Sequence, residues 1–138
     1  MKRILLTLFL FTSASLHAAE GFKVVVHRSN PITSISKSEL SDYLLKKKTT
    51  WPDKKPVVAV DLTDKSPVRG KLSQEVLGRS PAAIKSYWQQ QIFSGRDVPP
   101  VEKASDRDVI AFVQVTPGAI GYVSDATDTG DLKVVVLR

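Results

Sequence analysis

The chain has 138 residues, 20 Lys and Arg against 14 Asp and Glu, a formal charge of +6, two histidines and no cysteine. That length fits one domain with a real core. The missing cysteines exclude disulfides, thiolate metal sites and cysteine nucleophiles, and the histidines leave little for a zinc centre or a Ser-His-Asp triad.

The first residues, MKRILLTLFLFTSASLHAAE, read as an export signal. Lys2 and Arg3 form a positive start, Ile4 to Phe11 an apolar run, and LHAA a small-residue cleavage end. The expected layout is a signal peptide over 1–19 and a domain over 20–138. No later segment is apolar enough to span a bilayer, so a periplasmic location is expected.

FKVVVH (22–27) is a β-branched run expected as a strand buried on both faces. SNPITSI follows as a turn-rich loop. In SKSELSDYLLKKK, Ser36 and Glu39 form a capping box, and Leu40, Tyr43 and Leu44 make an apolar stripe at helical spacing. PVVAVDL (56–62) is a second strand. Ser66-Pro67 opens a helix that Gly78 closes, and Ser80-Pro81 opens the next, with Ile84, Tyr87, Trp88 and Ile92 on one face. SGRDVPP (94–100) is a stiffened loop, and Ser105 with Asp108 caps a helix that Pro117-Gly118 ends. AIGYV and LKVVVLR are two last strands. Helices between apolar strands predict an α/β domain with a mainly parallel or mixed sheet flanked by helices.

VDLTDKSPVRG (60–70) carries the most chemistry. A strand end delivers the chain to a helix start, where free N–H groups and the helix dipole favour an anion. Ser66 offers a hydroxyl, Arg69 a planar fork of donors and Lys65 a charge. Asp64 is able to accept the proton of a monohydrogen oxyanion. The alternative is a plain cap at Ser66 and a solvated Arg69. RSNP (28–31) is a second strand-end loop, with Ser29 and Asn30 as polar donors or as a simple Asn-Pro turn. Arg96 on its rigid loop is a further contact candidate. DATDTGD (125–131) has acids at three-residue spacing, which does not suit calcium and fits a polar turn. Trp51, before Pro52 in a polar loop, is a candidate stacking residue. No nucleophile–base pair is visible, so neither catalysis nor a cofactor is expected, and no motif points to nucleic acid.

TPGAIGYV (116–123) after a helix resembles the segment near the end of phosphate ABC-transporter substrate-binding proteins. ISKSELSDYLLKKKTTWPDKKPVVAVD, SPVRGKLSQEVLG and YWQQQIFSGRDVPP follow the same family in the same order, over nearly the whole chain past the signal. The resemblance implies one lobe of the type-II periplasmic binding-protein fold. It also implies a phosphate-like ligand at helix N-termini and binding residues at Asp64, Ser66, Arg69, Ser29 and Asn30. The family loop reads Arg, any residue, Asp, Gly, Ser, Gly, Thr. In the matching stretch Leu62 stands in the arginine place, Lys65 and Pro67 replace the glycines, and Val68 replaces the threonine. Binding of phosphate or a similar small oxyanion is therefore expected to be weak, with a membrane transporter as partner. A single-lobe sensory or interaction domain docking on a membrane protein is the second reading.

Overall fold

The computed structural model of the protein describes residues 21–138. The expected signal peptide lies outside the described residues. The elements in chain order are β1 (Phe22–Val26), β2 (Ser34–Ile35), α1 (Lys37–Leu44), β3 (Val58–Leu62), α2 (Pro67–Leu72), α3 (Pro81–Phe93), β4 (Val101–Lys103), α4 (Asp106–Val115), β5 (Ala119–Ser124) and β6 (Lys133–Leu137). A π-helical turn, Ser73–Leu77, prolongs α2, and Gly78 ends it at a left-handed φ of 65°.

The strands form one sheet in the order β2-β6-β1-β5-β3-β4. β3 is parallel to both β4 and β5, and β2 is parallel to β6. β1 runs antiparallel to β5 and to β6. The sheet is therefore mixed, as the sequence pattern predicts. The four long strands fall where the β-branched runs stand. β2 falls within the turn-rich SNPITSI segment and β4 just past the SGRDVPP loop, and two or three residues carry no period that would mark a strand. Backbone pairing at the sheet edges defines them.

β5 is the central strand, and all six of its residues are buried. α4 packs on the face that carries Gly121 and Val25, while α1 and α2 cover the face of Val24, Asp61 and Tyr122. β1 is thereby sealed on both sides. β6 is half covered: Val135 is buried, while Val134 and Val136 face outward. α3 buries only Ile84 and Trp88, and its end leaves Phe93 almost wholly exposed.

The two glycines of TPGAIGYV have separate causes. Gly118 sits at a φ of 85°, and a Cβ there would lie 2.6 Å from the Pro56 carbonyl oxygen. Gly121 has ordinary strand geometry, but a Cβ would lie 2.6 Å from a Val60 methyl and 3.0 Å from a Val109 methyl. One glycine is needed for backbone conformation and close approach, the other so that α4 sits tight on the sheet.

Gly121→Ala should lower stability by about 1–3 kcal/mol through overpacking. Gly118→Ala should cost more, because left-handed strain adds to the carbonyl clash. Urea unfolding of both variants checks the ranking. An unchanged midpoint for Gly118→Ala would contradict it.

Candidate functional site

β3, β4 and β5 are mutually parallel, so their C-terminal ends share one edge of the sheet. Three loops meet there: Thr63–Ser66 before α2, Ala104–Ser105 before α4, and the turn after Ser124. Open α/β sheets bind ligands at such an edge. Asp106 ties two of the loops, its Oδ2 accepting from the Ser124 N–H at 3.0 Å and the Thr127 hydroxyl at 2.6 Å. The Thr63 N–H donates to the Lys103 carbonyl at 3.0 Å and fixes the third.

Beneath the loops lies a buried polar cluster. Asp61 and Tyr122 occupy the same face of neighbouring strands, and the Tyr122 hydroxyl donates to Asp61 Oδ1. The Leu62 N–H donates to the same oxygen at 2.9 Å. Arg69, one turn into α2, points inward and is only 4% exposed. Its Nη1 donates to the Leu62 carbonyl at 2.6 Å and lies 3.3 Å from Asp61 Oδ2 and 3.5 Å from Glu102 Oε1. Its Nε reaches Ser73 Oγ at 3.4 Å, on the π-helical turn.

Burial pushes the Asp61 carboxyl above its ordinary range, with Arg69 and then the Tyr122 hydrogen bond acting against it. Burial, followed by the charge of Asp61, raises Tyr122 so far that it stays a protonated donor. No buried side-chain nitrogen or oxygen among the described residues is left unpartnered. Such a cluster contributes little net stability when complete. It costs several kcal/mol when one charge is deleted and the other is stranded.

The structure divides the sequence-predicted residues into three groups. Asp64 and Ser66 lie on the exposed loop at the site edge, beside Lys65. Arg69 lies under them, with its guanidinium engaged inside the protein. Ser29 and Asn30 lie at the other end of the sheet. Val26 pairs with Ile120, and Ile120 with Ala59, so the loop after β1 stands at the N-terminal ends of β3 and β5. A strand of this length separates the two ends by roughly 15 Å.

Ser66 differs from its counterparts. Ser36, Ser80 and Ser105 each accept a cap bond from the backbone three residues on, at 3.1–3.2 Å. Ser66 is the N-cap of α2 but its side chain makes no cap bond, so the plain-cap reading does not describe it. Trp51 is buried against Tyr43 and donates its indole N–H to the Gly118 carbonyl at 3.0 Å, which makes it a wall of the fold. In the 125–131 turn, Asp131 pairs with Arg28 at 3.3 Å and Asp128 holds the Gly130 N–H. No group of three His, Asp or Glu side chains suited to a metal occurs among the described residues. Asp61 and Tyr122 were not singled out as a pair. A carboxylate inside the apolar run PVVAVDL was the available signal.

The family description "PBP superfamily domain" matches residues 13–136. The chain belongs to the PBP superfamily. No curated protein matches it. Solved structures do. A protein from Clostridium perfringens, assigned as a phosphate ABC transporter substrate-binding protein and solved with bound phosphate, matches with a TM-score of 0.67 at 22% identity, over 86% of this chain and 45% of its own. An ABC-type phosphate transport receptor from Vibrio cholerae matches with a TM-score of 0.67 at 16% identity, over 86% of this chain and 46% of its own. PstS from Borrelia burgdorferi matches with a TM-score of 0.67 at 14% identity, over 86% and 47%. At these identities the likeness is one of fold, and this PBP chain spans a little under half the length of each neighbour. Its architecture is that of one lobe of the type-II periplasmic binding-protein fold.

Arg69→Ala should destabilise this PBP lobe by about 3–5 kcal/mol, because Asp61 is left charged and buried. Adding Asp61→Asn should restore much of that loss. The raised Asp61 pKa means that the folded state holds this proton more tightly than the unfolded chain. The stability this group contributes is present below the ordinary carboxylate value and is lost as pH rises through the folded one. Without Arg69 the effect grows, so the deficit of Arg69→Ala against wild type should shrink as pH falls towards about 4.5. Urea midpoints across pH test this. A deficit that widens in acid would contradict it.

Proposed function

We propose that the protein is a solute-binding module of the phosphate-binding-protein type that holds phosphate, or a similar small oxyanion, weakly at the Thr63–Ser66 loop. The Ser66 hydroxyl carries the reading, since it stands at a helix start and is not used by the helix. At the start of α2 the Arg69 N–H already donates to the Ser66 carbonyl at 3.1 Å, so the Val68 N–H is the donor left for an anion, and Lys65 adds an exposed charge beside it. Asp64, on the same loop, accepts the proton of a monohydrogen oxyanion. Pro67 contributes no N–H, and Arg69 acts from beneath by fixing the Leu62 carbonyl at the end of β3. Fewer donors at the loop make for weak binding. The names of the structural neighbours, all phosphate proteins, support the choice of ligand.

The second reading is a single-lobe sensory or interaction domain that keeps the fold and docks on a membrane protein. The internal use of Arg69 favours it, because the strongest donor near the loop faces inward.

Calorimetric titration of the processed protein separates the two. The first reading expects a phosphate Kd of about 1 mM. It expects Ser66→Ala to weaken binding about three- to ten-fold, with an unchanged melting temperature because no cap bond is lost. Sub-micromolar binding indifferent to Ser66→Ala would displace this site. No heat with phosphate or sulfate up to about 20 mM would favour the docking reading.

The same proposal places the protein in the periplasm, released from its signal near Ala19 or Glu20. Intact-mass measurement of the soluble exported protein checks this, and retention of Met1 would overturn it.

A further inference from the structure

At the end of the sheet remote from the Thr63–Ser66 loop, the segments before β3 and β5 and the loop after β1 enclose a cleft of about 380 Å³. This lies within the range of small-molecule sites. Its walls are largely carbon: Ile32, Trp51 and four prolines, with Gly118 at the base. Trp51 spends its indole N–H on the Gly118 carbonyl, so the cleft meets ring carbons and not a donor. Gly118 lets these walls close up, since any side chain there would strike Pro56.

One polar group in this wall stands out. Asn30 is only 8% exposed. Its Oδ1 accepts the Ile32 N–H at 3.1 Å, and its backbone carbonyl accepts from Lys133 Nζ at 2.8 Å. Its amide nitrogen has no hydrogen-bond partner among the described residues. No side-chain nitrogen there is both sealed and unpartnered, so this N–H₂ keeps some exposure, and Asn30 is one of the residues that line the cleft. Lys55 stands at the rim with its side chain 79% exposed, 3.9 Å from Asp53 Oδ2 and only loosely held. Asp53 also lines the cleft, half exposed and turned to Lys55, so the mouth carries one charge of each sign while the interior offers only the Asn30 donor, a combination that suits an apolar body with one anionic acceptor.

We propose that this cleft is a second binding site, for a small monocarboxylate with an aromatic or branched apolar body. The body lies against Ile32, Trp51 and the prolines, and the carboxylate accepts from the Asn30 amide and faces Lys55. The site is independent of the oxyanion loop, because the length of β3 lies between them.

Titration of ¹⁵N-labelled processed protein with phenylacetate, phenylacetamide and inorganic phosphate tests this by NMR. Phenylacetate should saturably shift the backbone signals of Asn30, Ile32 and Gly118 and the Trp51 indole signal, leaving residues 63–66 unmoved. Phosphate should move none of the cleft signals. Asn30→Asp keeps the Oδ1 acceptor for the Ile32 N–H but replaces the donor with a like charge. It should weaken phenylacetate at least about ten-fold while the spectrum stays folded. Lys55→Gln should weaken phenylacetate about three-fold and leave phenylacetamide unchanged, as expected for an exposed charge. No saturable shift at these residues up to about 20 mM phenylacetate overturns the site. So does affinity indifferent to Asn30→Asp. Saturation of the same signals by a proline-rich peptide but not by phenylacetate also overturns it, and gives the cleft to a protein partner.

Discussion

The ion pair of Asp61 and Arg69, closed by the Tyr122 hydroxyl, is the constraint on which this end of the molecule depends. It joins β3 to β5 through Tyr122 and joins both to α2 through Arg69. The guanidinium also grips the Leu62 carbonyl, so it sets where β3 stops and where the following loop begins. No sealed side-chain nitrogen or oxygen of the cluster is left without a partner, which is the condition for charges to stay buried. The consequence for chemistry is direct. A side chain that neutralises a carboxylate inside the protein is not offering its donors to a ligand outside it.

β5 is the second organising feature. Every residue of it is buried, and it lies between β1 on one side and β3 on the other. Gly121 brings α4 close against one face, while Tyr122 reaches the cluster on the other. Gly118, immediately before the same strand, lines the apolar cleft. One strand thus carries a polar cluster near one end and the floor of a cleft at the other. The two ends are chemically opposite: charged and hydroxylated at one, proline and indole at the other.

Much of this was legible in the residues. The β-branched runs mark β1, β3, β5 and β6, and three of the four serine helix starts cap as their spacing foretells. What escaped depends on neighbours distant in the chain. The inward turn of Arg69 is fixed by Asp61, Leu62 and Glu102, and a helix period alone does not distinguish that from a solvated arginine. Ser29 and Asn30 read as partners of Ser66 because both loops follow strands. Strand direction decides which loops share an edge, and the antiparallel pairing of β1 with β5 sends them apart. Trp51 in a polar loop looked available, yet its ring closes onto Tyr43 and its N–H onto Gly118.

The sheet terminates on both sides in minimal strands, two residues of β2 and three of β4, and Pro99-Pro100 immediately precede the latter. An unpaired strand edge is a template on which another polypeptide can grow a ladder, and long flat edges seed aggregates. Here an incoming chain finds at most a few free backbone groups, and the prolines supply none of the N–H donors needed to extend the pairing. For a protein with no disulfide to hold it shut, this brevity is a form of colloidal protection.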